Sequence, residues 1–346
     1  MIDFRYHLVS IVAVFLALAI GIVVGAEALS PKFASTLSHE AQQVAKRNSA
    51  LYAENARLKQ QISADNSFAQ AASGYLLKGL LTGESVVVVT APGASGQEVS
   101  GITTALRKSG ATVTGQVSLT SQFFDTTAIT ETALTSLASQ VAPAGVSLPV
   151  SPPVALISGQ EAAGQVIAAA IMTRAGQAGL SRAQSQSILS GFGQQGYLHV
   201  SGPNGAASLS GQASLAVVVI PAVVPSPVNA SSSANLALVA LTAELQRAGT
   251  GSLLAGTVQG SGAGSAIDAV TSGSAGITVT TVDNADTEVG QVIVVQALRQ
   301  LLNPHATPAS YGVRSAAVPS PAPTAAPSPS ASPTPSASPG RKTVRG

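Results

Sequence analysis

The longest apolar run of the chain lies close to its N-terminal end. From Leu8 to Ala26 the only polar side chain is Ser10. At about 1.5 Å of rise per residue, a helix of this length spans roughly the hydrocarbon core of a bilayer. The run therefore predicts a single membrane-spanning helix within residues 1–29, which we interpret as a retained anchor.

Two alternatives remain open for this apolar run. A cleaved signal peptide has a shorter apolar region, commonly about 7–15 residues, although Ala26-Glu27-Ala28 would serve as its cleavage site. A buried helix of a soluble core seldom lacks a polar face over such a length. Gly21 and Gly25 lie four residues apart within the run, a spacing that lets two membrane helices pack closely.

The basic residues beside the run do not decide its orientation. Arg5 precedes it and Lys32 follows it, and the positive-inside rule counts such residues on each side. About 320 residues follow the run and only a few precede it. We therefore expect a cytoplasmic N-terminus and an extracytoplasmic body in the cell envelope.

A heptad pattern occupies residues 30–73. Its apolar column repeats every seven residues and contains Leu37, Val44, Leu51 and Leu58. Its second column is partly polar and includes Asn48, Asn55 and Ile62. Two such columns are typical of a coiled coil, in which asparagine fixes the register at a cost in stability. We expect a stalk that joins copies of the chain into a homo-oligomer; a single amphipathic helix packed on the next domain is the alternative.

Residues 84–312 alternate strand-like and helix-like runs. Apolar, valine-rich runs predict buried strands at 85–90, 111–118, 154–157, 215–220, 252–258 and 277–282. Helical periodicity predicts helices at about 99–110, 235–248, 266–271 and 287–302. Such alternation is typical of an α/β fold with an open, mostly parallel sheet. The stretches 140–150 and 200–212, rich in Gly, Pro and Ser, predict loops.

Composition excludes several classes of protein. The chain has no cysteine, so no disulfide supports the fold. Charged residues make up 9% and the net charge is +2, without a basic patch, so we do not expect nucleic-acid binding. Residues 313–346 are rich in Pro, Ala, Ser and Thr, which predicts a disordered tail because such a segment cannot bury a core.

Two glycine-containing loops are candidates for binding a small anion or a nucleotide. Ala91–Gly96 and Gly260–Gly264 each follow a predicted strand, where backbone amides bind anions in doubly wound sheets. The second loop reads G-x-G-x-G, which departs from the dinucleotide motif, so a flexible loop is the simpler interpretation. Asp283 and Asp286 form a candidate acid pair, but helix capping by Asp286 explains that residue without catalysis. We therefore expect no enzyme and no tightly bound cofactor.

Several motifs resemble one known family. The decapeptide Met-Ile-Asp-Phe-Arg-Tyr-His-Leu-Val-Ser precedes the apolar run, the heptads, and a strand that ends in Ala91-Pro-Gly. Together with Thr281–Thr287, Gly290-Gln291 and Tyr311-Gly312, these features resemble the actinobacterial copper transport family MctB. The resemblance implies a membrane protein that keeps cellular copper low, with the copper ion as its transported species. It also implies an outer-membrane location, whereas a retained helical anchor is typical of the inner membrane. A self-associating envelope scaffold is the alternative function.

Candidate copper ligands are few in this chain. Copper(I) prefers thiolate and thioether ligands, and copper(II) prefers imidazole. The chain has two methionines, one of them Met172, and four histidines, none within metal-ligand spacing of another. His199 is the weak candidate for a metal ligand, and a structural role in a strand is its simpler interpretation. We therefore expect no high-affinity copper site in one chain.

Overall fold

The computed structural model describes residues 4–29, 32–143, 157–174, 176–223, 232–314, 317–318 and 320–321. The chain divides into two compact units, Met1–Asp65 and Asn66–Gly346.

Two helices form the N-terminal unit. Helix α1 is Phe4–Leu29, and within it Tyr6–Ala26 has a mean hydropathy of 2.9, long and apolar enough to cross a membrane. Gly21 and Gly25 both face open space. Helix α2 is Lys32–Leu76, a continuous helix of 45 residues, and its turns from Asn66 onward belong to the second unit.

The heptad columns of α2 lie on an exposed helix surface. Val44, Leu51, Leu58 and Ile62 are all exposed, as are Asn48 and Asn55. The helix predicted from the heptads is confirmed for residues 32–73, whereas its pairing with a second chain stays a prediction. The side chain of Leu37 lies outside the described residues.

A seven-stranded sheet forms the centre of the second unit. Its strands are β1 (Ser85–Thr90), β2 (Thr112–Leu119), β3 (Leu198–Ser201), β4 (Leu215–Val219), β5 (Gly251–Ala255), β6 (Thr280–Val282) and β7 (Ser310–Tyr311). They lie in the order β3-β2-β1-β4-β5-β6-β7, and all neighbours are parallel except β2 and β3. The predicted α/β fold with a mostly parallel sheet is therefore confirmed.

Helices cover both faces of this sheet. They are α3 (Gly96–Lys108), α4 (Ala128–Val141), α5 (Ser158–Ile171), α6 (Arg182–Gln194), α7 (Ser233–Ala248), α8 (Ala266–Thr271) and α9 (Glu288–Leu301). Successive side chains of a strand point to opposite faces. Thus Val86 and Val88 pack with α3 and α9, and Val87 and Val89 pack with the other helices. Burial on both faces explains why the central strands are uniformly apolar.

The structure corrects several predicted elements. Residues 154–156 of a predicted strand lie outside the described residues, and Ile157 is the N-cap of α5. Leu198–Ser201 forms β3, so the loop predicted from residue 200 begins too early. Helices α4, α5 and α6 were not predicted. In α5 the apolar positions are mostly alanine and almost the whole helix is buried, so no clear amphipathic period marks it.

The described beginning of the predicted tail makes ordered backbone contacts. The Gly312 amide donates to the Val318 carbonyl at 3.0 Å, and the Val318 amide donates to the Ser310 carbonyl at 2.9 Å. Residues 322–346 lie outside the described residues.

Candidate functional site

The one histidine proposed as a metal ligand lines a cavity at the edge of the sheet. His199 lies exposed in β3, and the cavity of about 530 Å³ is bounded by β3, α6 and residues 207–212. Met172 is buried and lines a neighbouring cavity of about 510 Å³ that shares Leu180 and Gln212 with the first. Among the described residues, no group of three or more His, Cys, Asp or Glu side chains is placed to hold a metal ion. The metal role of His199 stays a prediction.

The glycine loops bind their own chain rather than presenting free amides. In Gly260–Gly264, the Gly260 amide donates to Thr257 Oγ1 at 2.8 Å and the Gly264 amide to Asp268 Oδ2 at 2.9 Å. In the other loop, the Ala91 amide donates to the Val219 carbonyl at 2.9 Å and the Ala94 amide donates to the Ala91 carbonyl at 3.1 Å. These amides are therefore paired within the chain, whereas a phosphate requires free donors.

The acid pair has a different arrangement from the one predicted. Thr287, not Asp286, is the N-cap of α9, and its Oγ1 accepts from the Gly290 amide at 3.0 Å. The capping role predicted for Asp286 is therefore wrong: the neighbouring threonine is one residue closer to the first turn, and the Asp286 side chain remains exposed. Asp283 is buried and accepts from the amides of Val313 and Arg314, at 2.8 and 3.1 Å.

The residues from Asp283 to Gln291 form the turn before α9 and the first turn of that helix. A Cβ added at Gly290 would collide with the Asn284 carbonyl, which explains the glycine at that position. The next residue, Gln291, places its amide against α3, where a Cβ added at Gly101 would collide with it. A glycine inside a helix costs roughly 0.5–1 kcal/mol relative to alanine. Gly101 thus leaves room on α3 for the Gln291 side chain, and Gly290 lets the first turn of α9 pack against the Asn284 carbonyl.

A polar groove of about 550 Å³ lies between these two helices and the last turns of α2. Its walls are mostly amide and hydroxyl side chains, including Asn66, Gln70, Gln97, Ser100, Thr104 and Gln291. Asp286 and Glu288 line it at the N-terminal end of α9. At its other end Lys108 also lines the groove, and its Nζ donates to Ser73 Oγ at 2.9 Å.

Glu98 is a buried acid next to this groove. It is 1% exposed, and neither of its carboxyl oxygens has a hydrogen-bond partner among the described residues. Burial and, to a smaller extent, the nearby negative charge of Asp286 together raise the pKa of Glu98 to about 8. Glu98 therefore carries a proton at neutral pH. Sequence reasoning missed it, although an acid on the same helix face as Ile102, Ala105 and Leu106 could have indicated it.

The groove carries the carboxylates of Asp286 and Glu288 together with the ammonium group of Lys108. Asn284 Oδ1 is buried and accepts no hydrogen bond from the described residues, but neither Asn284 nor Glu98 lines the groove. Hard oxygen ligands of this kind do not favour copper(I). The polar groove and the cavity that contains His199 thus differ in chemistry.

Known proteins match the chain over most of its length. The family described as "Copper transport outer membrane protein, MctB" matches residues 1–321. A protein of Mycobacterium leprae named "Copper transporter MctB" is 32% identical over 317 residues, which cover 90% of this chain and 96% of the relative. Proteins of the same name from Mycobacterium bovis and Mycobacterium tuberculosis are 28% identical over 307 residues, covering 88% of this chain and 94% of each relative.

Proposed function

The chain belongs to the MctB family, and from this membership we propose that it acts in copper transport and copper homeostasis at the cell envelope. The observation that carries the proposal is the length of the match, which runs from residue 1 through the apolar helix, the heptads and the α/β body to residue 321. The family description names transport and no catalysis, and the expectation that the chain is not an enzyme stays a prediction.

The proposed place of action is the membrane surface. Tyr6–Ala26 has the length and hydropathy of a membrane span, so we propose that it is retained as an anchor. The N-terminus then lies in the cytoplasm and the α/β body outside it. The family description supports the envelope as the location.

We propose that one chain binds copper weakly and releases it quickly. The chain has no cysteine, and its thioether at Met172 and imidazole at His199 line two adjoining cavities. Sparse soft ligands favour rapid exchange over storage of the ion. Transport requires release as well as capture, so low affinity is compatible with this role.

Self-association is proposed through α2. Val44, Leu51 and Leu58 form an exposed apolar column at heptad spacing, and the second column beside it contains Asn48, Asn55 and Ile62, which are also exposed. Burial of these columns against the same columns of a second copy would stabilise a parallel coiled coil, because a shared membrane already aligns the chains.

Metal content of a deletion strain tests the copper role. Cells without the gene should accumulate copper, and the full chain returned on a plasmid should restore the low level. Zinc and iron measured in the same cells are the controls and should stay constant. Unchanged copper, or an equal rise of all three metals, would contradict a specific copper function.

A further inference from the structure

The cavity that His199 lines has the size of a small-molecule site and a largely apolar wall. It encloses about 530 Å³, and sites for small organic ligands commonly enclose about 300–1,000 Å³. Four leucines line it, namely Leu180, Leu189, Leu198 and Leu209. The last three are at most 8% exposed. A hydrocarbon group is therefore the part of a ligand that gains most from entering the cavity.

The charged lining of this cavity has a single sign. Arg182 is the only Arg or Lys among the described residues that line it, and none of these residues is an acid. The Arg182 guanidinium donates one hydrogen bond to the carbonyl of Ser210, which also lines the cavity. It forms no ion pair with the described part of the chain, so its charge and its other N–H donors are available. The cavity therefore favours an anion over a cation.

A buried hydroxyl group in the same wall has no hydrogen-bond partner. Ser185 lies on α6 three residues after Arg182, and both residues line the cavity. Ser185 Oγ is buried and makes no hydrogen bond with the described residues, whereas most buried hydroxyls in proteins are paired. Residues three apart on a helix share a face. The Ser185 hydroxyl and the Arg182 guanidinium can therefore bind the same acceptor group of a ligand.

We propose that this cavity binds a monocarboxylate with an aliphatic chain, such as a short fatty acid. The carboxylate accepts hydrogen bonds from Arg182 and from Ser185 Oγ, and the chain packs against the four leucines. The exposed imidazole of His199 adds a further N–H donor to the lining. This ligand matches both the charge and the apolar wall of the cavity. The site does not depend on the copper function proposed for the chain.

Equilibrium dialysis of labelled octanoate against the full chain in phosphatidylcholine nanodiscs tests this proposal. Empty nanodiscs measure the octanoate that partitions into lipid, which is subtracted. We expect saturable binding with a Kd below about 1 mM. Acetate, which lacks the chain, and octylammonium, which has the opposite charge, should show no saturable binding in this range. Absence of saturable octanoate binding, or equal binding of octylammonium, would overturn the proposal.

Variants of the polar wall test the contacts with the carboxylate. Arg182→Gln should raise the Kd for octanoate about tenfold or more, and Arg182→Lys should raise it less because the charge remains. Ser185→Ala should raise the Kd about fivefold. Arg107→Gln is the matched control, because Arg107 is exposed and does not line the cavity, and it should leave the Kd the same. Equal Kd values for Arg182→Gln and Arg107→Gln would overturn the role of Arg182 and with it the proposal.

A filled cavity tests the location of the chain. Ser190 is exposed on α6 and lines the cavity, so Ser190→Phe should occupy its space and abolish octanoate binding. Ser187 is exposed on the same helix and does not line the cavity, so Ser187→Phe should leave binding the same. Thermal unfolding of both variants checks that the body stays folded; if Ser190→Phe unfolds it, the comparison of Arg182→Gln with Arg107→Gln decides. Octanoate binding that survives in a folded Ser190→Phe variant would overturn the assignment to this cavity.

Discussion

The two units of the chain use the same aliphatic residues in opposite ways. In the body, Val86, Val87, Val88 and Val89 are at most 1% exposed because helices cover both faces of the sheet. In the N-terminal unit, Val44 and Leu51 are 57% and 67% exposed. The body therefore carries its own core, whereas the apolar surface of the first unit needs lipid or another protein chain. Substitutions in the body should therefore change its free energy of unfolding, whereas substitutions on the exposed face of α2 should change association and leave that free energy the same.

The largest effect on the body should come from a charge in its central strand. Val88→Asp would bury a carboxyl group in an apolar face of the sheet, and we expect it to destabilise the body by about 4 kcal/mol or more. Val44→Asp, at an exposed position of α2, should change the stability of the body by less than about 0.5 kcal/mol. Urea unfolding followed by circular dichroism measures both. Similar losses in the two variants would show that the units do not differ in this way.

A smaller effect is expected at the helical glycines. Gly290→Ala should cost about 2–4 kcal/mol, because the added methyl group meets the Asn284 carbonyl and the backbone must shift. Gly74→Ala in α2 meets nothing within 4 Å and should stabilise its helix by up to about 1 kcal/mol. Thermal unfolding of the two variants should shift in opposite directions; a stabilising Gly290→Ala would contradict the close packing described for α9.

The buried acid should make the stability of the body depend on pH. Glu98 keeps its proton up to a pKa of about 8 in the folded chain, compared with an ordinary value of 4.5. Folding therefore takes up a proton between these values, and stability falls as pH rises from about 4.5 to about 8. Glu98→Gln should remove this slope and raise stability at pH 8 by about 4 kcal/mol, since each unit of pKa shift corresponds to about 1.4 kcal/mol. Unfolding at pH 5 and pH 8 measures it, with the exposed Glu40→Gln as the control that keeps the slope.

The smallest change in the stability of the body is expected for substitutions that abolish association between chains through α2. Leu51→Asp with Leu58→Asp places charges in the exposed apolar column of α2 and should abolish chemical cross-linking between chains. The unfolding midpoint of the body should stay the same. Cross-linking that survives this double variant would show that the chains associate through a surface other than the apolar column of α2.

Most strands of the body were predictable because each consists of a short apolar run that can be recognised from neighbouring residues alone. Valine-rich runs locate β1, β2, β4, β5 and β6 to within a few residues. Helices α4 to α6 were missed, whereas the interpretation of His199 as a strand residue agrees with its place in β3. The sequences of α5 and α6 are rich in Ser, Gln, Gly and Ala, so burial in them follows from neighbours distant in the chain rather than from periodicity.

For the region around α9, the sequence predicted which residues form a motif but not which parts of the chain they contact. The resemblance singled out Thr281–Thr287 with Gly290 and Gln291, but it did not indicate that Gln291 would lie against Gly101 on another helix. The cap of α9 was assigned one residue too early for a related reason. Aspartate and threonine both cap helices well, and only the backbone geometry at residue 287 decides between them.

The amino-acid sequence by itself determined the apolar span, the long heptad helix, the alternating strands and helices, and the absence of a thiol chemistry for copper. These properties depend on residue type and on spacing within a few turns. Only the tertiary structure decided the strand order, the reversed direction of β3, and the burial of Glu98 beside Asp286. Those properties depend on which distant segments meet, because desolvation and packing act between residues that the chain order separates.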